Sequence, residues 1–99
     1  MPSPLIIPDV ASLPEYEGRD LGWTDWHVVE QARIDAFAEA TGDRQWIHVD
    51  RERAQRESPF GDTVAHGFLT VALAPALLPE LVQVENCARI VNYGIEKLR

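Results

Sequence analysis

Thr63-Val64-Ala65-His66-Gly67-Phe68-Leu69-Thr70-Val71-Ala72-Leu73-Ala74-Pro75-Ala76-Leu77-Leu78 is apolar nearly all round, and its reading decides the fold. It predicts one long helix over Thr63–Leu78. A helix with no polar face must be covered on several sides, as a helix wrapped by a sheet is. Pro75 removes one intrahelical bond and predicts a kink near residue 71, and Pro79 helps to stop the helix. The run is broken by His66, Pro75 and Pro79 and is shorter than the ~20 residues a bilayer needs. It is read as a buried core helix, and no membrane partner is expected.

Upstream, Ile34, Phe37 and Ala38 give i, i+3, i+4 spacing and predict a helix that Gly42 ends in a left-handed turn. Asp50 is placed to cap a short helix over Arg51–Arg56, and Glu57–Asp62 is turn chemistry. Asp25-Trp26-His27-Val28-Val29 predicts a short strand. Residues 1–14 hold four of the seven prolines and predict an extended arm packed through Leu5, Ile6 and Ile7. Residues 15–25, with Gly18 and Gly22, predict loop or turn. After a polar turn around Gln83–Asn86, Ala88–Ile95 alternates weakly and predicts a second strand. The expected organisation is therefore an arm over 1–14 and one partial domain over 15–99. Two strands rarely make an independently stable sheet, so a partner chain or further sequence is expected to supply the rest.

Ninety-nine residues allow one small domain with a modest core. The net charge is −7, with ten acids against three bases in residues 1–50 and six of each in 51–99. An acidic chain with no basic stripe is poorly suited to a polyphosphate duplex, so no nucleic-acid partner is expected. Cys87 is the only cysteine, which excludes an internal disulfide and fits a reducing compartment. Met1-Pro2-Ser3-Pro4 lacks a charged segment leading into an apolar core, so no signal peptide is read and a cytoplasmic location is expected.

The chemistry concentrates in two short stretches. Thr41-Gly42-Asp43-Arg44-Gln45-Trp46-Ile47-His48-Val49-Asp50 sets an acid and an imidazole five residues apart on a predicted loop, and Ala65-His66-Gly67-Phe68 opens the apolar helix with a His-Gly step. Asp43 follows a helix C-terminus, where the dipole disfavours an anion, so its placement costs stability. Taken singly, Asp43 reads as a solvated loop residue, and His48, His66 and His27 read as structural histidines. His48, Asp50 and His66 could be imagined as ligands, but no metal-ligand spacing supports this and the histidines fall on different elements, so no metal is expected. Cys87 has no imidazole placed beside it, and phosphate-cradling glycine loops are absent from the sequence. Together the parts say more. Gly67 leaves unbonded amides open to close approach, which suits a carbonyl oxygen gaining charge, while Asp43 and His48 can handle water and its proton beside it.

Phe37–Asp50 and Ser58–Thr70 closely resemble the MaoC-like dehydratases, which include the (R)-specific enoyl-CoA hydratases. Gln45-Trp46-Ile47-His48-Val49-Asp50, with Asn92–Arg99, looks most like the nodulation protein N-like branch, and the similarity spans roughly residues 12–99. The resemblance implies an α+β hot-dog fold, in which an antiparallel sheet wraps the long helix, here incomplete at the C-terminus. It implies a homodimer with an acyl-CoA tunnel near the subunit interface, and a role in fatty acid metabolism. Asp43 and His48 become the catalytic pair that adds water to a trans-2-enoyl-CoA, giving an (R)-3-hydroxyacyl-CoA, or the reverse. Gly67 binds the thioester oxygen, and His66 and Gln45 join it in contacting the substrate. No cofactor is implied beyond the CoA thioester substrate. Many hydratases carry a serine where this chain has Ala72. The alternative is a non-catalytic, truncated hot-dog protein that binds acyl-CoA or a protein partner, and a third reading is thioester hydrolysis.

Overall fold

The computed structural model describes residues 3–99. The chain is α+β and divides into two compact units, one formed by residues 3–24 with 78–99 and the other by 25–77. Among the described residues no helix is long and apolar enough to cross a membrane.

In the first unit, β1 (Leu5–Ile7) pairs with β2 (Val82–Val84) in parallel, with Leu5 opposite Val82 and Ile7 opposite Val84. Ile7 is buried, so the arm predicted to pack through Leu5–Ile7 does so as a strand. A 3-10 helix over Val10–Tyr16 follows, started by Asp9, whose carboxylate accepts from the Ser12 amide at 2.9 Å and the Ser12 hydroxyl at 2.7 Å. Two predicted features are corrected here. The sheet of the described residues is two-stranded and parallel rather than antiparallel. Its second strand is Val82–Val84, overlapping the start of the stretch read as a polar turn, whereas 88–95 is irregular, with Ile90 and Tyr93 exposed. A β-rich pattern becomes a strand only where another strand meets its backbone groups, and among the described residues Ala88–Ile95 has none beside it.

The second unit contains helices only among the described residues. Helix α1 (Gln31–Thr41) buries Ile34 and Ala38, as its spacing predicts. It ends where Gly42 takes φ 84° and returns its amide to the Ala38 carbonyl at 2.8 Å. That positive φ is the left-handed region that glycine enters without a Cβ clash. Helix α3 (Arg51–Glu57) is capped by Asp50, whose carboxylate accepts from the Arg53 amide at 3.0 Å, and it buries Ala54 completely. Asp50→Ala is expected to cost about 1 kcal/mol, because one of the first-turn amides loses its acceptor. Urea unfolding of the two proteins measures it, and an unchanged midpoint would refute the cap.

Residues 46–49, predicted as loop, form the single turn α2 (Trp46–Val49). The Asp25–Val29 strand is not formed; the segment is irregular, with Trp26 and Val28 exposed. The long apolar helix is also corrected. It begins at Gly67, not Thr63, and breaks at Leu73 into α4 (Gly67–Ala72) and α5 (Ala74–Leu77), with a 3-10 turn over Leu78–Glu80. Pro75 lacks the amide that would continue the ladder, so the break falls close to the predicted kink. Residues 63–66 stay outside the helix because their backbone is used elsewhere. The Val64 amide donates to the Ile47 carbonyl at 3.0 Å, and the Val64 carbonyl accepts from the His48 ring at 2.7 Å. Only Leu69 of α4 is buried, and Phe68 is 73% exposed, so the helix is not enclosed as its composition predicts.

Candidate active site

Gly42 reverses the chain after α1 and delivers Asp43 beside the start of α4. His48 comes from α2 and His66 from the residue that precedes α4, and both are buried, at 7% and 3% exposure. Asp43 is half-buried. One ligand-type atom from each of Asp43, His48 and His66 lies within 4.8 Å of the others. The predicted loop that carries Asp43 and His48 therefore meets the predicted helix start that carries His66.

The ring nitrogens have fixed roles. Nδ1 of His48 faces the Val64 carbonyl at 2.7 Å and so carries the hydrogen that it donates, leaving Nε2 for the site. Nε2 of His66 donates to the main-chain carbonyl of Asp43 at 2.8 Å. Its Nδ1 is buried and has no hydrogen-bond partner among the described residues. The two imidazoles are stacked, with centroids 3.8 Å apart and planes 23° from parallel. On its other side His66 stacks on Phe37 at 4.8 Å. His66 thus sits inside the assembly, holding the Asp43 backbone at its edge and the His48 ring on its face.

The Asp43 carboxylate accepts from the Gln45 side-chain amide at 3.0 Å. That hydrogen bond holds the carboxyl below the usual carboxylate range; the Gln45 backbone amide and the His66 and His48 rings pull the same way, against partial desolvation. A group lowered in this way keeps its charge as the pH falls through the ordinary carboxylate range. Gln45→Ala removes the leading cause, so the Asp43 carboxyl is expected to titrate at a higher pH than in the wild type. Carbon-detected NMR titration of the side-chain carboxyl checks this, and coincident titration curves would contradict it. Gln45, expected to contact substrate, is thus hydrogen-bonded to the Asp43 carboxylate.

Asp43, His48 and His66 are also of the types that ligate metal ions. An imidazole ligates along its ring plane, and the planes of two stacked, nearly parallel rings do not meet between them. One ion can bind both nitrogens only if a ring turns out of the stack. Gly67 starts α4 directly after His66, and a Cβ there would meet nothing within 4 Å, so the space where a side chain would stand is open. A cavity of about 450 Å³ in the first unit, lined by Leu5, Ile7, Leu13, Tyr16, Leu21 and Val82 among others, contains none of these residues.

Two partners escaped the sequence reading. Gln31, at the first position of α1, donates to the His48 carbonyl at 2.7 Å and accepts from the Thr63 hydroxyl at 2.6 Å. Phe37, read only as core, is a wall of the His66 stack. Gln31 had a visible signal, because it falls three and seven residues before Ile34 and Ala38, on their buried face.

Residues 14–99 match the MaoC like domain. The chain is 47% identical over 90 residues to 3-hydroxyacyl-thioester dehydratase Z of Mycobacterium tuberculosis (strain ATCC 25618 / H37Rv), covering 91% of this chain and 59% of that protein. It is 44% identical over 91 residues to Nodulation protein N of Rhizobium leguminosarum bv. viciae, covering 91% of this chain and 56% of the relative. It is 40% identical over 65 residues to 3-hydroxybutyryl-CoA dehydratase of Methylorubrum extorquens, covering 64% and 41% respectively. The chain thus spans less than two thirds of the length of these relatives. With the MaoC like match running over most of its residues, the chain belongs to the MaoC-like domain family.

Proposed function

We propose that this chain carries the water-handling site of a hydratase/dehydratase acting on acyl-CoA thioesters. The reaction is addition of water to a trans-2-enoyl-CoA to give an (R)-3-hydroxyacyl-CoA, or its reverse. The observation that carries the reading is the convergence of the Asp43, His48 and His66 ligand-type atoms within 4.8 Å, with Gly67 opening α4 directly after His66. The names of the dehydratase relatives support the same class of reaction.

In hydration, Asp43, held as a carboxylate, takes a proton from water as the water oxygen bonds to C3. Nε2 of His48 shares the same water, its ring angle set by the Val64 carbonyl on the other nitrogen. Electron density moves toward the thioester oxygen, which the Gly67 amide receives. The Asp43–His48 pair then returns one proton to C2 on the same face, restoring its starting charge. Water and the thioester supply every atom of the product, so the reaction needs no cofactor.

The test is incubation of the protein with trans-2-butenoyl-CoA, following loss of the conjugated thioester absorbance, with chiral analysis of the 3-hydroxybutyryl product. Turnover to the (R) product is expected. Binding without turnover would favour a non-catalytic acyl-CoA binder, and release of free thiol would favour thioester hydrolysis.

A further inference from the structure

We propose that Gln31, acting with Thr63, is a positioning residue for this site, fixing the main chain of His48 against the segment that leads into His66. Its kinetic consequences rest on the hydration reading above; its geometric ones do not.

Helix α2, which carries His48, is a single turn of four residues. An isolated turn has too few internal bonds to hold its own orientation, so its direction depends on what grips it from outside. Gln31 provides that grip. Its half-buried side-chain amide donates to the His48 carbonyl at 2.7 Å and to the Asp35 carboxylate at 2.9 Å, and its oxygen accepts from the Thr63 hydroxyl at 2.6 Å. Both donor hydrogens are thereby used, and each partner is of the complementary type.

The far end of the strut is also tied down. The Thr63 amide donates to the Asp62 carboxylate at 2.7 Å, and that carboxylate meets Arg51, at the start of α3, at 3.2 Å. The next residue, Val64, takes the His48 ring hydrogen on its carbonyl. His48 is therefore held twice, at its carbonyl by Gln31 and at its ring by Val64, and Thr63 couples the two holds. Nothing in the chemistry of the site needs the Gln31 amide to touch substrate. Its place on the Ile34/Ala38 face, where an apolar side chain would pack, is explained by this strut.

The experiment compares wild type with Gln31→Leu, Thr63→Val, the double variant and Thr63→Ser. It measures kcat and KM for trans-2-butenoyl-CoA hydration, the urea midpoint, and the nitrogen-15 NMR signals of the His48 ring. Gln31→Leu and Thr63→Val are expected to lower kcat about tenfold to a hundredfold, since small misplacement of a reacting group carries costs of this order. KM should stay within about twofold, and the double variant should cost no more than about twofold beyond either single change, because both cut one strut. Thr63→Ser restores the hydroxyl and should match wild type. The His48 ring signals should shift in the two damaging variants and not in Thr63→Ser.

A lowered urea midpoint with unchanged kcat per folded molecule and unchanged His48 signals would overturn the proposal. If Gln31→Leu does not fold, Thr63→Val carries both readouts. If the wild type shows no hydration, the hydration reading fails and the His48 signals decide the strut alone: a shift in Thr63→Val upholds it and coincident spectra reject it.

Discussion

Asp43→Asn is expected to lower kcat for trans-2-butenoyl-CoA hydration by about 10²–10⁴-fold, the usual worth of a positioned general base. The substitution preserves side-chain shape, and the asparagine oxygen can still accept from the Gln45 amide that reaches Asp43 at 3.0 Å. It removes the charge and the capacity to hold a proton. KM should change little, because the thioester oxygen is assigned to the Gly67 amide. His48→Gln should fall in the same range, and the double variant should lose little more than the worse single variant, since the two groups handle one water. An Asp43→Asn protein with half the wild-type rate would end the base assignment.

His66→Ala should have the largest effect on stability, about 2–4 kcal/mol, from the lost ring contacts and the unpaired carbonyl together. Two of the six buried side chains of residues 25–77 are imidazoles, alongside Ile34, Ala38, Ala54 and Leu69. Removing one ring from so thin a core leaves Phe37 and His48 facing a void and takes the donor from the Asp43 carbonyl. His66→Phe separates the two contributions. It keeps a ring in the stack, so its stability cost should be smaller, about 1 kcal/mol for the hydrogen bond alone. Hydration should still fall, because the Asp43 loop loses its tether. Urea unfolding of both variants decides the matter, and an unchanged midpoint for His66→Ala would show that the stack carries no weight.

Local features were readable in the residues, and non-local ones were not. Helix α1 followed from Ile34, Phe37 and Ala38, its end from Gly42, and the capped start of α3 from Asp50, each signal lying within a few residues of the feature it specifies. The strands failed because a strand depends on a partner distant in the chain. Leu5–Ile7 pairs with Val82–Val84, while Asp25–Val29 and Ala88–Ile95 have strand composition and form no strand among the described residues. The start of α4 was misplaced because Val64 bonds to Ile47 and His48 across the site, which nothing local in Thr63–His66 announces. Asp43 and His48 were legible as a pair, with His66 read beside Gly67 as a substrate contact. That His66 lies within the stack, bonded to a backbone oxygen, depends on burial, and a histidine is equally at home in water.

The tether between His66 and Asp43 ends on a peptide oxygen and makes no use of the carboxylate. Every amino acid carries that oxygen, so the anchorage of the loop is blind to which side chain stands at position 43. The scaffold is thereby decoupled from the reagent it presents. Amide, thiol or hydroxyl can be exchanged for the acid at this point without rebuilding the ring stack beneath it, so position 43 is a socket in which new chemistry can be tried on an unchanged frame.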